Sequence, residues 1–332
     1  MSSVSPRESN EAFFPLKAPN PTRPRDAGIT HVLDGFHGLS LEEVRPLAPY
    51  IDYVELGWGL PLLFSRDEVR RRVRAYHELG VEVATSGTLL EYAFSRGKSR
   101  RLIMEAREIG FDLVELSDGI LPISPEELER LAVEARASGL DVFIEVGKKN
   151  PQNQLSLRET VDQVGRALAL KPRKVILESR ESGRGVGIYD HEGGIKWDWV
   201  HSIVAAHSSE DLIFGAPLES QQVGLLKELG VQANLGNVPL SNVASLASQR
   251  LGLRGDTFGT LHSTRTVKGP PATKFLYFLL ESHGGLDQSE LVRLSRLPRR
   301  TVQSALDALR VQGIVQETVS LHDSRKREYR LL

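Results

Sequence analysis

The fold class that the sequence predicts is α/β: a (β/α)8 barrel followed by a small second domain. Apolar runs of strand length alternate with amphipathic helical stretches eight times over about 225 residues. The unusual polar residues stand at the C-terminal ends of those runs, where a parallel barrel opens its site. A doubly wound sheet would use fewer strands and carry a glycine fingerprint after the first. Here Asp34-Gly35-Phe36-His37-Gly38 follows the first run and does not fit that fingerprint. The expected architecture is therefore a TIM barrel.

The strand runs read as Ile29–Gly35, Tyr53–Gly59, Val81–Gly87, Asp112–Gly119, Asp141–Lys149, Lys174–Glu181, Asp211–Pro217 and Val231–Asn237. Helical stretches between them include Arg66–Leu79, Ser124–Ser138 and Leu157–Leu170. Ser124-Pro125-Glu126-Glu127 carries an N-cap serine, a proline at the first helical position and an acidic first turn. Several helices stop at a glycine that leads into the next strand: Gly80, Gly110, Gly139 and Gly230. Four segments follow: a polar arm over 1–27, the barrel over 28–259, a linker over 260–271 marked by Pro270-Pro271, and a second domain over 272–332.

Composition bounds the function. Hydrophobic residues make up 40% and charged residues 26%, enough to bury a core. The absence of cysteine excludes disulfides, thiolate metal sites and a cysteine nucleophile. No run of about 18 apolar residues and no signal-peptide pattern is present, so a cytoplasmic protein is expected. The formal charge of −1 hides an asymmetry. From Pro270 onward ten Lys and Arg face seven Asp and Glu, which leaves a mildly acidic barrel and a mildly basic small domain.

The stretch Asp141-Val142-Phe143-Ile144-Glu145-Val146-Gly147-Lys148-Lys149 is an apolar run that ends in charge. Residues two apart on a strand share a face, so Glu145, Gly147 and Lys149 point one way, and Val146 and Lys148 the other. Glu115, Glu145 and Glu178 come from three neighbouring strands at similar depth. Three converging carboxylates suit a hard cation such as Mg2+ that would stabilise an enolate, or they pair with Lys149 and Arg180 in an ion network. Lys149 is the candidate catalytic acid, and Lys148 reads as a solvated loop lysine. Arg180 suits a carboxylate or a phosphonate-like group. Ser182, Gly183 and Gly185 open a glycine-rich loop whose amides could cradle an anion, and Asn234 and Gly236 close the last strand. The histidines, His37 among them, lack metal-ligand spacing and read as packing or surface residues.

These motifs resemble the phosphosulfolactate synthase family, the barrel enzymes of coenzyme M biosynthesis, from about Gly28 to Gly259. The resemblance rests on Leu56-Gly57-Trp58-Gly59, Gly87-Thr88-Leu89, Glu115-Leu116-Ser117-Asp118-Gly119, Glu145-Val146-Gly147-Lys148-Lys149 and Glu178-Ser179-Arg180-Glu181-Ser182-Gly183. It continues through Ala216-Pro217, Gln221-Gln222, Asn234-Leu235 and Leu253-Arg254-Gly255-Asp256-Thr257-Phe258-Gly259. It implies a carbon–sulfur lyase that adds sulfite to phosphoenolpyruvate with Mg2+. Lys149 would be the acid, and Glu115, Glu145 and Glu178 the acidic barrel positions. Three positions depart from the pattern that the resemblance implies. Gly35 and Glu55 stand where it has lysines, and Gly215 stands where it has a glutamate.

The second domain reads as helix, helix, turn, helix, hairpin, and resembles the winged helix-turn-helix domains of transcription regulators. That resemblance implies DNA contacts from Arg299, Arg300, Gln303 and Ser304 on the third helix, and from Arg325, Lys326 and Arg327 at the wing tip. Its alternative is a domain for protein contact. Two functions are thus expected: a synthase, or a DNA-binding transcription regulator whose barrel senses a small anionic metabolite. A homo-oligomer is expected from both resemblances.

Overall fold

A computed structural model describes residues 24–35, 40–258, 267–283, 285–319 and 327–331. The arm up to residue 23, His37, most of the linker, and Arg325 and Lys326 lie outside the described residues. The chain divides into two compact units, Met1–Ser263 and Thr264–Leu332. No helix among the described residues is long and apolar enough to cross a membrane.

The first unit is a closed parallel barrel. Its strands are β1 (Thr30–Asp34), β2 (Tyr53–Leu56), β3 (Glu82–Thr85), β4 (Leu113–Leu116), β5 (Asp141–Val146), β6 (Lys174–Leu177), β7 (Leu212–Gly215) and β8 (Leu235–Pro239). Most strands stop short of the expected ends because the residues after them leave the ladder and build the mouth. The helices start where their caps dictate. Ser65 and Ser156 form capping boxes with Glu68 and Glu159, and the Ser124 side chain accepts from the Glu127 amide.

The outward faces of the strands pack against the helices in the main core, with Val54, Val83, Val114, Val142, Val175 and Phe214 in its centre. The inward faces form two layers. Ile29, Tyr53, Ala84, Leu113, Phe143, Ile176 and Ile213 fill the lower one. Two residues further along five of these strands stand His31, Glu55, Glu115, Glu145 and Glu178, all buried. Alternation alone places these five inside and above the apolar layer.

β8 begins four residues later and ends two residues later than the expected Val231–Asn237. Val231 and Ala233 alternate with polar neighbours and imitate a strand, but a turn occupies this stretch and the Ala233 amide donates to the Gly230 carbonyl. Asn234 therefore lies at the beginning of β8, not at its end. Its Oδ1 accepts from the Ile29 amide at 3.0 Å, and its Nδ2 donates to the carbonyls of Glu210 and Leu212 at 3.1 and 2.9 Å. It clasps the closing seam of the barrel at the end opposite the mouth.

The second unit holds helices Pro271–His283, Gln288–Ser295 and Arg299–Val311, and strands β9 (Leu286–Asp287), β10 (Val315–Val319) and β11 (Arg327–Leu331). The antiparallel sheet has the order β10-β11-β9. Leu276, Leu280, Leu291, Val302, Leu306 and Leu309 form its core. β9, two residues long, has no sequence signal.

Asn234→Ala would leave the buried Ile29 amide unsatisfied and take a donor from the buried Leu212 carbonyl, while the Glu210 carbonyl keeps the Lys174 ammonium at 2.6 Å. It is expected to cost about 3 kcal/mol, read as a lower urea midpoint at unchanged slope.

Candidate active site

The loops after the strands enclose a cavity of about 660 Å3 at the C-terminal mouth of the barrel. Among its lining residues are Glu55, Lys148, Lys149, Glu178, Arg180 and Asn237. At its centre the Lys149 ammonium ion-pairs with both Glu145 and Glu178. β5 delivers Glu145 and β6 delivers Glu178. Lys149 lies beyond the end of β5, where its amide donates to the Gly119 carbonyl at 3.0 Å. Glu145 and Lys149 meet as the sequence spacing indicates, across a strand end that turns at Gly147 (φ +132°).

The ammonium is outnumbered. Burial favours the neutral amine, but Glu145, Glu178 and Glu115 outweigh it and hold Lys149 well above the ordinary lysine value. Burial, and then repulsion from Glu145 and Glu178, raises Glu55 to about 8 against the partial relief that Lys149 gives. Burial and Glu55 raise Glu115 to about 8. Burial and Glu145 raise Glu178 to about 7. Glu145 is raised too, by burial above all. The cause is common: four buried carboxylates share one cation in a poorly solvated barrel.

Neighbouring groups fix the acids in place. Glu115 Oε1 accepts from the Gly87 amide at 3.0 Å. Ser117 Oγ lies 2.7 Å from Glu91 Oε1 and 3.0 Å from Glu145 Oε1. Glu91 also accepts the Ile120 and Leu121 amides at 2.7 and 2.6 Å, so it shapes the loop after β4. Lys148 is not a solvated loop lysine. Its ammonium donates to the Asp118 carbonyl at 2.7 Å and to Asp118 Oδ2 at 2.8 Å, and it lines the cavity.

The other expected positions divide. The Arg180 guanidinium lines the cavity beside Glu181 at 3.5 Å, while the Arg180 amide donates to Glu178 Oε1. Three glycine amides of the glycine-rich loop are taken by other partners. Gly183 donates to the Ser179 carbonyl, Gly185 to the Asp190 carbonyl and Gly187 to Gln154 Oε1. Ser182, Gly183 and Gly185 are not among the residues lining this cavity, and neither are Asn234 and Gly236. Gly236 sits on β8 inside the barrel, where its carbonyl accepts the Ala216 amide at 2.7 Å.

Sequence reasoning missed three residues. Glu55 is part of the acidic group. Asn237, in left-handed backbone at φ +51°, lines the cavity and donates to Ser179 Oγ at 3.0 Å. His31 lies beneath. The alternation that placed Glu145 inside would have placed Glu55 and His31 there as well.

Space is occupied beside two of the departures from the family pattern. A Cβ at residue 35 would lie 2.0 Å from the Trp58 ring, so the indole fills that space. A Cβ at residue 215 would lie 2.3 Å from Ser179 Oγ and 2.8 Å from the Leu177 carbonyl oxygen.

A TIM barrel whose charged side chains converge on a cavity at its C-terminal mouth has the architecture of an enzyme acting on small molecules. The chain belongs to the phosphosulfolactate synthase family: the model of (2R)-phospho-3-sulfolactate synthase (ComA) matches residues 18–256. The phosphosulfolactate synthase of Methanocaldococcus jannaschii is 38% identical over 236 residues, which is 70% of this chain and 94% of that one. That of Methanothermobacter thermautotrophicus is 37% identical, covering 76% and 99%. That of Bacillus subtilis is 30% identical, covering 74% and 98%.

The raised acids predict how stability depends on pH. Unfolded glutamates titrate near 4.3, whereas folded Glu55 and Glu115 titrate near 8. Between those values the folded chain binds more protons, so stability falls as pH rises through that window. Calorimetry in EDTA should show a falling melting temperature from pH 5 to 8. Glu55→Gln should flatten the fall and raise the midpoint at pH 8 by several degrees.

Proposed function

We propose that the barrel is a phosphosulfolactate synthase-type carbon–sulfur lyase that adds sulfite, or a related nucleophile, to phosphoenolpyruvate. The observation that carries the reading is the Lys149 ammonium held between Glu145 and Glu178 at the centre of the mouth cavity. Sulfite sulfur attacks the methylene carbon, and a C–S bond forms as the C=C π bond opens. The electron pair moves onto the carboxylate side as an enolate, and Lys149 delivers a proton to the neighbouring carbon. A group that stays protonated at neutral pH suits an acid and not a Schiff-base amine. Solvent reprotonates Lys149 through the open mouth. Lys148 and Arg180 are the other lining cations and receive the phosphate and carboxylate groups.

Mg2+ is the cofactor that the family resemblance implies, and bound there it would offset the enolate charge. Glu115, Glu145 and Glu178 are hard oxygen donors of the right kind. As arranged they do not fit an ion, because Lys149 spans two of them.

Purified protein with phosphoenolpyruvate, sulfite and Mg2+ should yield phosphosulfolactate by mass spectrometry. Lys149→Ala should lower kcat at least about 100-fold. A wild type without product under these conditions would retire the synthase reading.

A second reading concerns the C-terminal unit. Helix, short strand, two helices and a hairpin is the order of a winged helix. Arg299, Arg300 and Ser304 are exposed at the start of a helix whose opposite face packs Val302, Leu306 and Leu309 into the core. Gln303 is half-buried and bonded to Gln288 and Asp307, so it has less freedom to reach a base. Arg327 pairs with Glu317. We propose that this helix contacts DNA phosphates. Anisotropy of a labelled duplex at about 50 mM salt should report binding by the full chain, lost with salt and weakened in Arg299→Ala and Arg300→Ala. Equal anisotropy for wild type and both variants would sink this reading.

A further inference from the structure

We propose that His31, Glu55 and Glu115 form a site for one divalent first-row transition-metal ion at the floor of the mouth cavity. Each offers a ligand atom, and these atoms all lie within 4.8 Å of one another. Among the described residues no other three acidic or histidine side chains meet that condition.

The independent observation is the histidine. His31 is completely buried, yet neither ring nitrogen has a hydrogen-bond partner. A buried polar atom without a partner costs about 1–3 kcal/mol, and an imidazole offers two. Its one ring contact is edge-on to Phe143, with centroids 5.7 Å apart, which satisfies neither nitrogen. A metal ion would give one of them a bond. Burial lowers the imidazole to about 4, so its lone pair is available at neutral pH.

The backbone is built around this residue. β1 and β8 pair as Thr30 with Leu235 and then as Val32 with Val238, so β8 carries one extra residue opposite His31. Such bulges re-aim side chains beside functional sites. Glu55 reaches the cavity wall, whereas His31 and Glu115 are not among its lining residues. An ion held by all three would thus keep its free coordination positions toward the cavity, as a catalytic site does and a closed structural site does not.

The donor set selects the metal. One imidazole nitrogen with two carboxylates suits Zn2+, Mn2+, Fe2+ or Co2+, and is a poor match for Mg2+, which favours oxygen alone. A dication would also offset charge where four carboxylates share one ammonium. The site shares Glu115 with the expected Mg2+ set, but leaves Glu145 and Glu178 to Lys149.

The test uses the full chain freed of metal with EDTA and dialysed. Co2+ is the spectroscopic probe and Zn2+ the probe for equilibrium dialysis with elemental analysis. One equivalent of Zn2+ per chain, a visible Co2+ absorption band and a melting-temperature rise of about 5 °C with excess Zn2+ are expected. His31→Gln and Glu55→Gln should each weaken Zn2+ binding at least about 10-fold while circular dichroism stays that of the wild type. The wild-type stoichiometry decides alone if a variant does not fold. Less than stoichiometric uptake with no cobalt band would overturn the site. So would one equivalent bound equally by both folded variants, which would place the ion elsewhere. Neither result depends on turnover, so the synthase reading stands or falls separately.

Discussion

The charge of one lysine governs the upper half of the barrel. A cluster of ionised glutamates buried without a cation would be too costly to keep, and the acids would hold their protons. Lys149 changes that balance for Glu145 and Glu178, which it touches. Glu55 and Glu115 make no ion pair with it, and both stay near 8. The cavity therefore combines an ammonium that is charged at neutral pH with carboxyl groups poised near neutrality. Acids and cations in one small volume, at different distances from solvent, are what proton transfer to carbon requires.

The ions at the mouth set what can enter. Lys148 is tied to Asp118, and Arg180 sits beside Glu181. Each lining cation has an acidic neighbour, and Glu55 adds one more acid. A doubly anionic substrate would have to compete with those internal partners. The Arg180 side chain is more exposed than those of Lys148 and Lys149 and can exchange a carboxylate for a phosphate at less cost. The acidic surplus below them is the reason that a second cation in the floor is a natural complement to the site.

Much of this was legible in the sequence. Eight apolar runs gave the barrel, and the N-cap at Ser124 with its proline and acidic first turn marked a helix start. Alternation put Glu115, Glu145 and Glu178 on the inward faces. Three things were not legible. The turn at residues 231–234 imitates a strand, so Asn234 was expected at the wrong end of the barrel. The loop from Ser182 to Gly187 carries the glycines of an anion cradle, but those glycine amides bond to the Ser179 and Asp190 carbonyls and to Gln154, which composition cannot show. His31 lies 24 residues before Glu55 and 84 before Glu115. Local spacing rules for metal ligands assume a helix or a knuckle, and a ligand set spread over three strands exists only once the barrel closes.

The contact between residues 215 and 179 has a consequence for how this chain can change. Ser179 Oγ occupies the space into which any side chain at residue 215 would grow, and Asn237 donates to that same oxygen. A side chain at residue 215 requires Ser179 to shift, and the Leu177 carbonyl oxygen 2.8 Å away narrows the room further. Losing Ser179 alone would leave Asn237 without its acceptor. The two strand ends are thus coupled: a side chain added at residue 215 is felt at Ser179 and, through the same oxygen, at Asn237 in the cavity wall.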